Sequence, residues 1–166
     1  MTSSISEQAL TGGQRQQLEA FLEDNRSELA SVLVGLTEEQ ARRRLVPSLT
    51  TLLGLVKHAA WVERVWFQAS LLGRTREELG IPREIDDSFR LAAGDTIASV
   101  TGDFRAACAE SRLAAGGYVL DDLVLHNRRG PLTLRWVYAH MIEEHARHAG
   151  HADILREQIL AADDPF

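Results

Sequence analysis

The residues best placed to do chemistry lie toward the C-terminal end of the chain. Val137, Met141, Glu144, His148, Ala152, Leu155 and Ile159 are separated by four, three, four, four, three and four positions, which puts them on one face of a helix. Most are core-type residues. The exceptions, Glu144 and His148, are four apart, so both side chains point to the same spot. Burying a carboxylate beside an imidazole is costly unless something compensates it. A divalent cation compensates both, and carboxylate plus imidazole is a usual ligand set for zinc. A second apolar face, Gly54, Leu55, His58, Trp61, Val62 and Val65, has His58 as its only polar member. His58, Glu144 and His148 together form a two-histidine, one-carboxylate set that leaves one position for water or substrate, as in catalytic rather than structural zinc sites. Zinc, or in second place nickel, would stabilise a bound hydroxide or thiolate there at neutral pH.

On the residues alone two functions remain open. One is a metal-dependent enzyme. The other is a non-catalytic bundle in which Glu144 and His148 pair with each other inside a hydrogen-bonded network. His140 and His151 flank the stripe, one a turn before Glu144 and one nearly a turn after His148. Either could replace a ligand, orient one, or shuttle protons. Trp61, one turn from His58, could wall a pocket. His145 is rotated about 100° from Glu144 and is expected to face solvent. His126 stands beside Arg128 and Arg129 and reads as a surface residue, one that would contact an anionic substrate if its loop covers the end of a bundle. Cys108, among alanines, reads as an inert core thiol. Trp66 and Trp136 read as core, and Arg42, Arg43 and Arg44 as a solvated fan. No nucleophile elbow, phosphate-binding loop or dinucleotide-binding glycine pattern occurs.

Helices must position these residues. Leu18, Phe21, Leu22, Leu29, Val32, Leu33 and Leu36 predict an amphipathic first helix. Thr37-Glu-Glu-Gln40 has the pattern of a capping box opening a short segment that Pro47 stops, with Ser48 as N-cap of the next helix. Leu49 to Leu72 is apolar nearly all round, as a central helix is. Gly73 to Gly94 reads as a long connection with one helical turn, and such a loop is usually functional or a crossover. A third helix is predicted from about Asp95 to Ala115, stopped by Gly116-Gly117. A second connection comes next, Tyr118 to Gly130. Pro131 then suits the first turn of a last helix reaching about Leu160. With no alternating strand pattern of convincing length, the expected fold is all-α: a single domain over 1–166, its core from about 14 to 160, built as a four-helix bundle with two long connections.

Composition agrees with one globular domain of 166 residues, 45% hydrophobic and 25% charged. The net charge of −6, with 17 arginines and the single lysine Lys57, argues against a partner bound through its phosphate backbone, and hence against nucleic acid. No apolar run is long enough to span a membrane, and the first residues lack a signal-peptide pattern. One cysteine fits a reducing cytoplasm.

These motifs resemble the DinB-like superfamily of metal-binding four-helix bundles, which includes the mycothiol-dependent maleylpyruvate isomerases, and within it an actinobacterial, mini-circle protein-like branch. The matching stretches are Leu52-Leu-Gly-Leu-Val-Lys-His58 with Glu63, Thr133-Leu-Arg-Trp136, His140-Met-Ile-Glu-Glu-His-Ala-Arg-His-Ala-Gly-His-Ala-Asp153 and Leu155-Arg-Glu157. The likeness covers about Leu18 to Ile159. It implies an up-up-down-down bundle, commonly a homodimer, with a divalent metal on the positions of His58, Glu144 and His148. It also implies a thiol S-transferase or isomerase that uses mycothiol or a similar small thiol against an electrophile, with a non-catalytic dimeric stress or ligand-binding protein as the alternative. Glu144 stands where many relatives have histidine, and His145 where tyrosine is frequent. No counterpart of the isomerases' extra C-terminal domain is expected here, so their substrate is not expected to carry over.

Overall fold

A computed structural model describes residues 4–163 of the chain, Asp163 by its backbone alone. It is all-α apart from a minimal hairpin, and four long helical segments carry it: α1 (Gln14–Ser31), α3 (Leu52–Glu63) continued by a π-helical stretch (Arg64–Leu71), α5 (Ile97–Gly116) and α6 (Leu134–Asp163). A 3-10 turn (Ser6–Ala9) precedes α1, and α2 (Glu38–Arg42) and α4 (Ile85–Ser88) are short. α1 packs on α6, α3 on α5, and α3 also on α6. Strands β1 (Leu123–Val124) and β2 (Leu132–Thr133) pair antiparallel ahead of α6. Two residues each are too few to show an alternating pattern in sequence.

Local chemistry explains the helix boundaries. Thr37 and Gln40 form the expected capping box at α2, and Thr96 and Ser99 form another at α5. α3 begins later than expected: its cap is Thr51, whose hydroxyl accepts from the Gly54 amide, and not Ser48. α1 ends at Ser31, short of Leu36, while Val32, Leu33 and Leu36 still enter the core beyond it. Phe21 is 53% exposed, because Ala20 and Leu22 take the inward positions around it. Pro131 lies ahead of β2, and α6 starts only at Leu134. Past Glu63 the Arg64 amide is shared between the Ala60 and Trp61 carbonyls, and the winding widens into the π stretch, a distortion often found at functional sites. Arg42 is docked on the Ala92 and Asp95 carbonyls rather than solvated. No helix among the described residues is long and apolar enough to cross a membrane.

Two apolar clusters fill the interior. One contains Leu29, Leu33, Leu52, Leu55, Phe104, Ala149 and Ile159; the other contains Leu22, Trp61, Trp66, Phe67, Leu134 and Met141. Each fully buried leucine or phenylalanine contributes about 1.5–3 kcal/mol of transfer free energy. In α1 the seam between the clusters falls between Leu22 and Leu29, and in α6 between Met141 and Ala149. Arg26 and His145 sit at that seam, both buried, and both meet Glu63 of α3. The Arg26 guanidinium makes a bidentate bond to Glu63, Nε to Oε1 at 2.8 Å and Nη2 to Oε2 at 2.6 Å, and His145 Nε2 lies 2.7 Å from Oε1. His145 is therefore fully enclosed, not solvent-facing. Because α6 is covered by both α1 and α3, a rotation of about 100° from one buried face leads to another.

Candidate functional site

α3 and α6 bring His58, Glu144 and His148 together, with one ligand atom from each lying within 4.8 Å of the others. His58 Nε2 is 3.5 Å and His148 Nε2 3.1 Å from the same oxygen, Glu144 Oε1. The three are the only such group of metal-ligating side chains among the described residues. His58 is held on several sides. Its ring stacks on Phe89 at 4.0 Å between centroids and on Trp61 at 5.6 Å, and it meets the His148 ring edge-on at 4.9 Å. Its Nδ1 is 2.7 Å from the Ser88 hydroxyl, contributed by α4. The long connection thus closes over α3 and supplies both Ser88 and Phe89.

The hydrogen bonds define which atoms face inward. Ser88 Oγ donates to the Ile85 carbonyl at 2.5 Å, so its one proton is committed and it accepts from His58 Nδ1–H. In a neutral ring the bare Nε2 then faces the Glu144 carboxylate. Burial, opposed by the neighbouring Glu144, keeps the His58 ring below its ordinary pKa and hence neutral at pH 7. The bond from His148 first, and then the neighbouring His58, against the effect of burial, hold the Glu144 carboxyl well below the usual carboxylate range. Lone pairs on a neutral imidazole and an ionised carboxylate converge without a proton between them, an arrangement that a cation stabilises. Ligand atoms about 2.1 Å from a tetrahedral ion stand roughly 3.4 Å apart, and the two separations at Glu144 Oε1 bracket that value. The donor set therefore fits a divalent metal. His148 Nδ1 is buried without a hydrogen-bond partner.

Above these three side chains lies a cavity of about 670 Å³, walled by Trp61, Val62, Val65 and Trp66 and by residues of both long connections. Trp61 is fixed there by a bond from its Nε1 to the Pro82 carbonyl at 2.8 Å. The loop after β1 is tied to the π stretch through the His126 amide and the Ser70 carbonyl. At Gly73, with φ of +74°, any Cβ would crowd the His126 ring at 3.0 Å. That loop does cover the bundle end, so His126, Arg128 and Arg129 line the cavity. His140 lines it as well, stacked on Trp136 and edge-on to Trp66, each 4.9 Å away. Trp136 is 37% exposed and so not core. His151 is exposed, its ring 5.8 Å from His148, and it is not part of the cavity wall. Cys108 is buried, with its thiol pushed up to about 12 by burial and then by Glu63.

Sequence reasoning missed Ser88, Phe89, Arg76 and the buried Arg26–Glu63–His145 group. A serine or phenylalanine in a polar connection carries no periodic signal. Arg26 could have been found as a charged residue between Leu22 and Leu29 on the inward face of α1.

A family model described as mycothiol S-transferase matches residues 17–161 of the chain. No curated protein matches it.

Proposed function

From the premise that the chain belongs to the mycothiol S-transferase family, we propose that it is a metal-dependent enzyme that conjugates mycothiol to a small electrophile. The observation that carries this reading is the convergence of His58, Glu144 and His148 on one point at the floor of an open cavity. These three residues would hold zinc, or nickel in second place. When bound, such an ion lowers the pKa of a thiol so that thiolate is present at neutral pH.

The chain's own residues supply the rest. Ser88 and the rings of Phe89 and Trp61 fix His58 with Nε2 inward, the kind of support that sets ligand orientation. Trp61, Val62, Val65 and Trp66 give the electrophile an apolar wall and exclude water from it. His140, kept neutral chiefly by burial, takes the thiol proton. Sulfur then forms its bond to the electrophilic carbon as the bond from that carbon to the leaving group breaks, with the leaving group keeping the electron pair. A cytoplasmic homodimer acting on a small thiol and a small electrophile, with the whole chain as one domain, completes the proposal. A purely structural role, with Glu144 and His148 merely paired, leaves the bare His58 Nε2 beside a carboxylate unexplained.

The test measures metal content and mycothiol conjugation of untagged protein, wild type beside His148→Ala. About one divalent ion per chain, lost together with conjugation in the variant, is the expected result. Absence of metal from the wild type even after zinc is supplied would overturn the proposal.

A further inference from the structure

The cavity above the candidate ligands carries a charge pattern that a neutral thiol does not explain. The chain bears −6 overall, yet Arg76, Arg83, Arg128, Arg129 and Arg147 line this one cavity against Glu84 and Glu144. Two of the five arginines have carboxylate partners: Arg83 pairs with Glu77, and Arg147 with Glu143 and Glu144. Arg76, Arg128 and Arg129 form no ion pair among the described residues. They come from the two long connections, Arg76 from the one after the π stretch and Arg128 and Arg129 from the one between β1 and β2.

Their setting positions them rather than neutralising them. Arg76 donates to the Pro82 and Arg83 carbonyls, both through Nη1, so its Nε and Nη2 have no partner among the described residues. Its guanidinium lies 5.0 Å over the Trp61 ring, and that of Arg129 lies 5.4 Å over Trp136. Such stacking holds a guanidinium in place without supplying a counter-charge. The side chain of Arg128 makes no hydrogen bond or ion pair among the described residues. Burial first, and then the charges of Arg128 and Arg83, push Arg76 below its ordinary value against the pull of Glu84, as expected where like charges share one mouth. A divalent ion on the floor would make the cavity more positive still.

We infer that the electrophile carries a carboxylate, bound at the cavity mouth by Arg76, Arg128 and Arg129, with its reactive carbon directed toward His58, Glu144 and His148. The inference rests on the transferase reading and adds the substrate class to it. A guanidinium fork matches a carboxylate in two parallel bonds. Mycothiol, whose cysteine carboxyl is tied up in an amide, has no use for three cations. With a haloacetate as electrophile, sulfur bonds to the methylene carbon, the halide leaves with the electron pair, and the thiol proton goes to His140.

Two measurements test this, and they separate it from the transferase reading. The first follows tryptophan fluorescence of the zinc-loaded protein, in which Trp61 and Trp136 stand under two of the arginines, during titration with phenylacetate or with uncharged phenylacetamide. The second compares mycothiol conjugation to iodoacetate and iodoacetamide, each corrected for the uncatalysed rate. Wild type is expected to favour the anion about tenfold in both. Arg128→Gln should lose part of that preference, and the triple Arg76→Gln, Arg128→Gln, Arg129→Gln variant all of it. Equal binding of phenylacetate and phenylacetamide by wild type overturns the inference. So does an unchanged preference in Arg128→Gln and in a folded triple variant. A phenylacetate preference that the arginine variants lose, with neither iodo compound conjugated, upholds the anion site and sinks the transferase reading instead.

Discussion

Ser88 Oγ, 2.7 Å from His58 Nδ1 and already donating to the Ile85 carbonyl, decides which nitrogen of His58 faces Glu144. The candidate ligand set thus depends on a residue outside it that lies 30 positions along the chain. Ser88→Ala should lower zinc affinity by about tenfold or more, because a freed Nδ1–H no longer fixes the tautomer or the ring. Competition against a chromophoric chelator measures this directly. Affinity within twofold of wild type would show that Phe89 and Trp61 hold the ring without help.

Arg26, Glu63 and His145 form a separate buried polar group, and breaking it should destabilise the fold. Removing one partner leaves an uncompensated buried charge, so Glu63→Ala should cost about 3–5 kcal/mol, read from urea unfolding. Burial alone would raise the Glu63 carboxyl, but Arg26 and the bond from His145 bring it down to about 2. A carboxyl depressed on folding contributes stability that is present above its unfolded value, about 4.3, and is lost as pH falls through its folded value. The stability that Glu63 confers should therefore fade between about pH 4.3 and 2. Over that window the Glu63→Ala variant should show a flatter loss than wild type.

The three residues of the candidate site were legible in sequence because they interrupt apolar stripes: His58 is the one polar member of its face, and Glu144 and His148 are adjacent polar members of theirs. The same logic failed at His145, since the stripe rule assumes one buried face and α6 has two. Trp136 misled in the opposite direction, as an aromatic residue whose partner is His140 at a cavity edge rather than the core. The four long helices could be read from their periodicity. The widening at Arg64 and the two-residue strands could not: the segment holding the π stretch is apolar nearly all round, so a changed period leaves no mark on it, and two residues are too few to alternate.

Cys108 offers a check on where the reactive thiol comes from. It is 3% exposed and its thiol is pushed up to about 12, so almost none is thiolate at neutral pH. Cys108→Ala should conjugate mycothiol within about twofold of the wild-type rate, and iodoacetamide should leave the folded wild-type protein unmodified, as mass spectrometry would reveal. Loss of activity in a variant with native stability would place the nucleophile on the protein itself.

His140 is four residues, one helical turn, before Glu144, in the wall of the same cavity, between the Trp136 face and the Trp66 edge. Burial is the main reason its imidazole titrates below 6.5, with Glu144 pulling the other way. Near pH 7 it is neutral and able to accept a proton. As pH falls through its lowered value it becomes protonated and loses that ability, so kcat should fall on an acid limb below pH 6.5. His140→Gln keeps a polar group of similar reach but cannot take the proton. Its kcat should drop about 100-fold with metal content unchanged, and the acid limb should disappear from what activity remains. A variant with the same drop but an intact limb would mean that His140 only packs Trp136 in place and that the thiol proton leaves by another route.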